Sequence, residues 1–136
     1  MDRKIHMSEN HKRSLSSSLI VVEKSLMELE DMMQRKSNSC CNVMSVDIDA
    51  EAITANISVI QEAKSYICRM AEKYGTSKEK LSLQRIINAK RTRIWETLTD
   101  TLSGKVKGYG TIPKKYAEEY DSDIKGLLEI INKINS

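Results

Sequence analysis

From Ser8 onward the apolar residues Leu15, Leu19, Val22, Leu26, Leu29 and Met33 follow one another at steps of 4, 3, 4, 3 and 4. This heptad spacing keeps one narrow stripe turned toward a neighbouring helix and predicts a helix over 9–36. Ile20 and Met27 fall outside the stripe and give the same helix a second, smaller apolar patch. The segment KSNSCCNVMSVD carries no helical face and reads as a connecting loop. Periodicity resumes with Ile53, Ile57, Ile60, Ile67, Ala71 and Tyr74, predicting a helix over 49–74 that Asp47 or Asp49 caps and Gly75 ends.

Directly after that glycine, Thr76-Ser77-Lys78-Glu79 has the form of a capping box, with Thr76 and Glu79 each able to bond the other's backbone N–H. It predicts a third helix over 77–103, carrying Leu83, Ile87, Ile94, Leu98 and Leu102 on one side and ending at Gly104. So tight a connection implies that the second and third helices lie side by side and antiparallel. Pro113 suits the first turn of a fourth helix over 113–135, with Tyr116, Tyr120, Ile124, Leu127, Ile131 and Ile134 on its stripe and with Asp121 and Asp123 marking a kink or a new start. Nothing reads as a strand. The expected fold is all-α, an antiparallel four-helix up-and-down bundle forming a single domain over 1–136, behind a flexible N-terminus at 1–8.

Composition narrows the class. Among 136 residues 40% are hydrophobic and 30% charged, with one Pro, five Gly and no Phe, so the core must be aliphatic. The longest apolar run, Leu19 to Val22, is far short of the roughly 20 residues of a membrane span, and no apolar signal region follows the charged start. Three cysteines, two of them adjacent at Cys40 and Cys41, do not make a disulfide framework; free thiols and a cytoplasmic protein are expected.

The formal net charge of +3 is unevenly placed. Residues 78–115 hold ten Lys/Arg against three Asp/Glu. Within the stretch LSGKVKGYGTIPKKYAEEY, Lys105, Lys107, Lys114 and Lys115 surround Tyr109. Helices stand on both sides of this loop and the lysines are scattered, so it is not a P-loop. Gly108 and Gly110 are expected to let the Tyr109 ring fold back over the end of the core, leaving the lysines as an exposed rim; the sharper alternative is a grip for an anionic or acidic partner.

Two cations occupy positions where the period calls for apolar residues. Lys64 stands between Ile60 and Ile67, and Arg91 between Ile87 and Leu98 near Trp95. A charge on an apolar face is costly unless paired, hydrated or liganded. One reading is a structural ion pair, with Glu23, Glu28, Glu30 and Asp31 as available partners. The other is a polar pocket in which Arg91 and Lys64 bind an anion.

Catalytic and metal chemistry find little support. His6 and His11 are spaced i, i+5 and do not share a helix face, and the cysteines lack C-x-x-C spacing. No Glu-x-x-His pair suits a di-iron site, and Glu96 with Asp100 is an ordinary helix pair. No catalytic residue, metal site or cofactor is expected. The surplus of apolar stripes, including Ala52, Val59, Ala63, Tyr66 and Met70 on the second helix, points to a non-enzymatic helical protein acting by macromolecular interaction or self-association, with a homodimer or protein partner. The alternative is a basic module binding nucleic acid or a phosphorylated or anionic ligand through residues 78–115.

Overall fold

The structure, a computed structural model, describes residues 4–35 and 39–135. Within them the chain is all-α: α1 spans Glu9–Met33, α2 Ala50–Tyr74, α3 Leu83–Thr99 and α4 Lys114–Ile131, and there is no strand. The all-α, four-helix character predicted from the period is present. The chain forms two compact units, Met1–Glu79 and Lys80–Ser136, with α1 packed on α2 in the first and α3 on α4 in the second. Among the described residues no helix is long and apolar enough to cross a membrane.

In the first unit α1 and α2 run antiparallel. Near the connecting loop Gln61 donates to the Glu30 carboxylate at 2.6 Å, and at the opposite end the Ser77 N–H donates to the Ser16 hydroxyl at 3.2 Å. Both helices begin on side-chain caps. The Ser8 hydroxyl accepts the His11 N–H, and Asp49 Oδ1 accepts the Ala52 N–H at 2.8 Å, each satisfying a donor that the first helical turn leaves open. Gly75 closes α2 with φ +63, a left-handed geometry that only glycine adopts without strain. Of the N-terminal stretch expected to be flexible, residues 1–3 lie outside the described residues, and the Ile5 N–H donates to the Lys73 carbonyl at 2.9 Å.

The seam between α1 and α2 is rotated from the predicted one. The half-buried positions Lys12, Ser16, Leu19, Glu23, Leu26, Glu30 and Met33 recur at heptad steps, whereas Val22 and Leu29 are exposed. At 100° per residue this face is turned about 50° from the centre of the apolar stripe. The cause is visible in the partners. Glu30 is drawn inward by Gln61 and Lys64, and Ser16 by the backbone of Ser77, so α1 turns polar residues partly into the seam and leaves the flank of its stripe outside. The buried core of this unit is Ile60 and Ile67 of α2, 5% and 9% exposed.

The capping box at Thr76 is not formed, and the third helix starts at Leu83 instead of 77. The Thr76 N–H and hydroxyl both donate to the Ala71 carbonyl, completing the end of α2, while Glu79 pairs with Lys24 of α1 at 3.5 Å. The end of α2 takes Thr76 and an ion pair across the hairpin takes Glu79, so the box is not made. Ser82 caps α3 in its place, accepting the Arg85 N–H at 3.4 Å. The connection from Gly75 to Ser82 is then too long for the tight-turn argument to constrain α2 and α3.

In the second unit α3 ends at Thr99, earlier than the predicted 103. Thr97 and Thr99 donate their hydroxyls to the carbonyls four residues back, at 2.8 and 2.6 Å, and Thr101 donates to Leu98. Such back-bonding competes with the helical ladder and loosens a final turn. α4 follows Pro113 and is continuous through Asp121 and Asp123, so neither residue breaks it. The predicted end of α1 also shortens, to Met33, with residue 36 outside the described residues.

Candidate functional site

The two cations singled out by the period belong to different units, and each has partners in its own. Lys64 Nζ lies 3.6 Å from the Glu30 carboxylate, which also receives the Gln61 amide. This is the structural ion pair, made with one of the α1 acids available to it. Arg91 finds neutral acceptors: Nη1 donates to the Ile134 carbonyl at 2.5 Å and Nη2 to Asn88 Oδ1 at 3.1 Å. Ile134 lies just past the end of α4, on the side of the negative end of the helix dipole. Arg91 therefore ties the end of α4 back to α3.

The α3–α4 corner is built on a residue that the sequence pattern marks only as a break. Asp121 Oδ1 accepts the Ser103 N–H at 2.8 Å and Oδ2 accepts the Ser103 hydroxyl at 2.6 Å. Beside them the Tyr120 hydroxyl donates to the Thr101 carbonyl. The hydroxyl bond from Ser103, followed by its backbone N–H, holds the Asp121 carboxyl below the usual carboxylate range; partial burial opposes this and Lys125 adds to it. Tyr120 thus ties α4 to the turn that follows α3.

Tyr109 itself does not fold back. It closes a single 3-10 turn, Lys107–Tyr109, and is 96% exposed. Gly110 follows at φ +111, a conformation open to glycine. Lys105, Lys107, Lys114 and Lys115 are exposed around the same loop, as expected, and Lys115 Nζ lies 4.8 Å from the centroid of the Tyr116 ring. The corner presents cations and two exposed aromatic rings, Tyr109 and Tyr116.

The apolar surface of the first unit is more continuous. Val22 and Leu26 of α1 and Val59, Glu62, Ala63, Tyr66 and Ile67 of α2 line a groove of about 470 Å³. Its floor is Leu26 and the buried Ile67. Its walls are exposed: Val22 by 47%, Val59 by 61% and Tyr66 by 58%. The Arg69 guanidinium lies 5.2 Å from the Tyr66 ring centroid and borders the same wall. On α1 the row Leu15, Val22, Leu29 and on α2 the row Ala52, Val59, Tyr66 each repeat every seven residues, so the walls continue along both helices. The seam rotation creates this groove: the part of the α1 stripe turned away from α2 becomes one wall. Sequence reading found the surplus α2 residues but took Val22 and Leu29 as core.

Among the described residues no group of three or more His, Cys, Asp and Glu side chains stands together as a metal site would require, and Cys40, Cys41 and Cys68 are free and exposed. His11 lies within the N-terminal cap of α1, its Nδ1 2.8 Å from the Ser8 hydroxyl. No known protein family, curated protein or solved structure matches this chain.

Proposed function

We propose that this protein acts without catalysis, as a helical module that associates with itself or with another protein through apolar helix faces. The observation that carries the reading is the groove on the first unit, with Val22, Val59 and Tyr66 exposed along heptad rows beside a buried floor. Exposed apolar rows of this kind lose contact with water when a complementary helical surface covers them, and that burial drives association. In the same unit the cation that the period sets on an apolar stripe, Lys64, is already engaged by Glu30.

A second reading rests on a different observation, the projection of Tyr109 among four exposed lysines at the α3–α4 corner. That arrangement supports a basic module binding nucleic acid or a phosphorylated or anionic ligand through residues 78–115, by charge and stacking on the Tyr109 ring. Affinity capture from native lysate, with and without nuclease, separates the two when the unchanged chain is compared with a variant in which the four lysines are replaced by glutamine. Recovery of a protein partner, or of further copies of the chain, regardless of nuclease and of the lysines supports the helical module. Nuclease-sensitive recovery that requires the lysines supports the basic module and overturns the first reading.

A further inference from the structure

Resting on the helical-module reading, we infer that the occupant of the groove on α1 and α2 is a second copy of the same hairpin, laid antiparallel across it about a two-fold axis. Three observations lead there. The first is charge. Among the described residues the connecting-loop half of the hairpin, 22–35 and 39–61, holds seven Asp/Glu against two Lys/Arg, whereas the open half, 4–21 with 62–79, holds seven Lys/Arg against four Asp/Glu. The hairpin is therefore an axial dipole, −5 at one end and +3 at the other. A parallel second copy sets like ends together. A two-fold axis lying in the plane of the contact, at right angles to the helices, reverses the second copy and sets each acidic end on a basic one.

The second observation is extent. The two 25-residue helices are about 37 Å long and, side by side, about 20 Å wide, so the grooved face covers on the order of 750 Å². That matches the roughly 800 Å² per partner of a standard stable interface. The third is the placement of two charges on the groove border. Glu62 lines it and Arg69, seven residues further along α2, lies over Tyr66. A two-fold axis passing between them brings Glu62 of each copy against Arg69 of the other, with Val22, Val59 and Tyr66 enclosed beside the pairs. The contact is self-complementary, as an isologous interface must be.

Sedimentation equilibrium on the full chain tests this with Val59→Asp, Glu62→Arg, Arg69→Glu and the double reversal, each checked for retained helicity by circular dichroism. All three positions are exposed, so these variants leave the hairpin fold in place. The expected result is a dimer for the unchanged chain, a monomer for Val59→Asp, and dissociation constants weakened by roughly tenfold or more for each single reversal. The double reversal, which restores opposite charges across the axis, recovers affinity to within about threefold. If Val59→Asp leaves a dimer intact, the chain self-associates elsewhere and the groove assignment fails while the helical-module reading stands. If single reversals weaken the dimer and the double does not recover it, the antiparallel register is wrong. If the unchanged chain is monomeric at every concentration, the second copy is excluded; groove-dependent capture of a different protein then keeps the helical-module reading, and its absence removes that too.

Discussion

Asp121 in the first half of α4 receives both the backbone N–H and the hydroxyl of Ser103, so a single carboxylate closes the loop that leaves α3. Because these bonds favour the ionised form, the carboxyl is held below the ordinary carboxylate range. A depressed carboxylate contributes stability that is fully present above its unfolded value and is lost as pH falls through the folded one. Thermal unfolding between pH 6 and 2 is therefore expected to show an acid loss that shrinks in Asp121→Asn. An unchanged acid limb in that variant means the clamp is not made in solution.

The rotated seam of the first unit distinguishes residues that the heptad pattern treats as equals. Ile67→Ala removes a buried side chain and is expected to cost about 2–4 kcal/mol in chemical denaturation. Leu29→Ala, at a stripe position the structure leaves half open, is expected to cost less than about 1 kcal/mol. Comparable losses at the two sites indicate that α1 faces α2 with its predicted stripe.

Arg91→Met separates a tie at the helix end from a costly buried charge. Losing charge-assisted bonds to the Ile134 carbonyl and Asn88 is expected to lower stability by about 1–2 kcal/mol. A rise in stability shows that the guanidinium was a burden on the apolar face.

At Gly75 the cost of a side chain is conformational. A Cβ there meets nothing closer than the end of the Lys12 side chain at 3.8 Å, yet φ is +63. Gly75→Ala is expected to cost about 1–2 kcal/mol, the left-handed penalty of an L-residue, and Gly75→Asn less. Equal losses in the two variants place the cause in crowding.

What the sequence disclosed, and what it withheld, follows the range of the interactions. Asp49, Gly75 and the presence of four helices were legible because each acts within a turn or two of chain. The start of α3 was not, because Thr76 and Glu79 satisfy a local box in sequence but bond Ala71 and Lys24 in the fold. The groove escaped for a related reason. Glu30 and Ser16 are polar, so periodicity counts them as outside, and only their partners across the hairpin reveal that α1 turns them toward the seam. The Asp121 clamp joins residues 18 apart and leaves no periodic trace; Asp121 was read as a helix break for that reason.

The most direct test of the central claim is the molar mass of the unmodified full chain, followed by light scattering on dilution. If apolar faces on the first unit drive self-association, the mass starts near twice the 15.5 kDa of one chain and falls toward 15.5 kDa. A mass of 15.5 kDa throughout, even in the most concentrated sample, contradicts it.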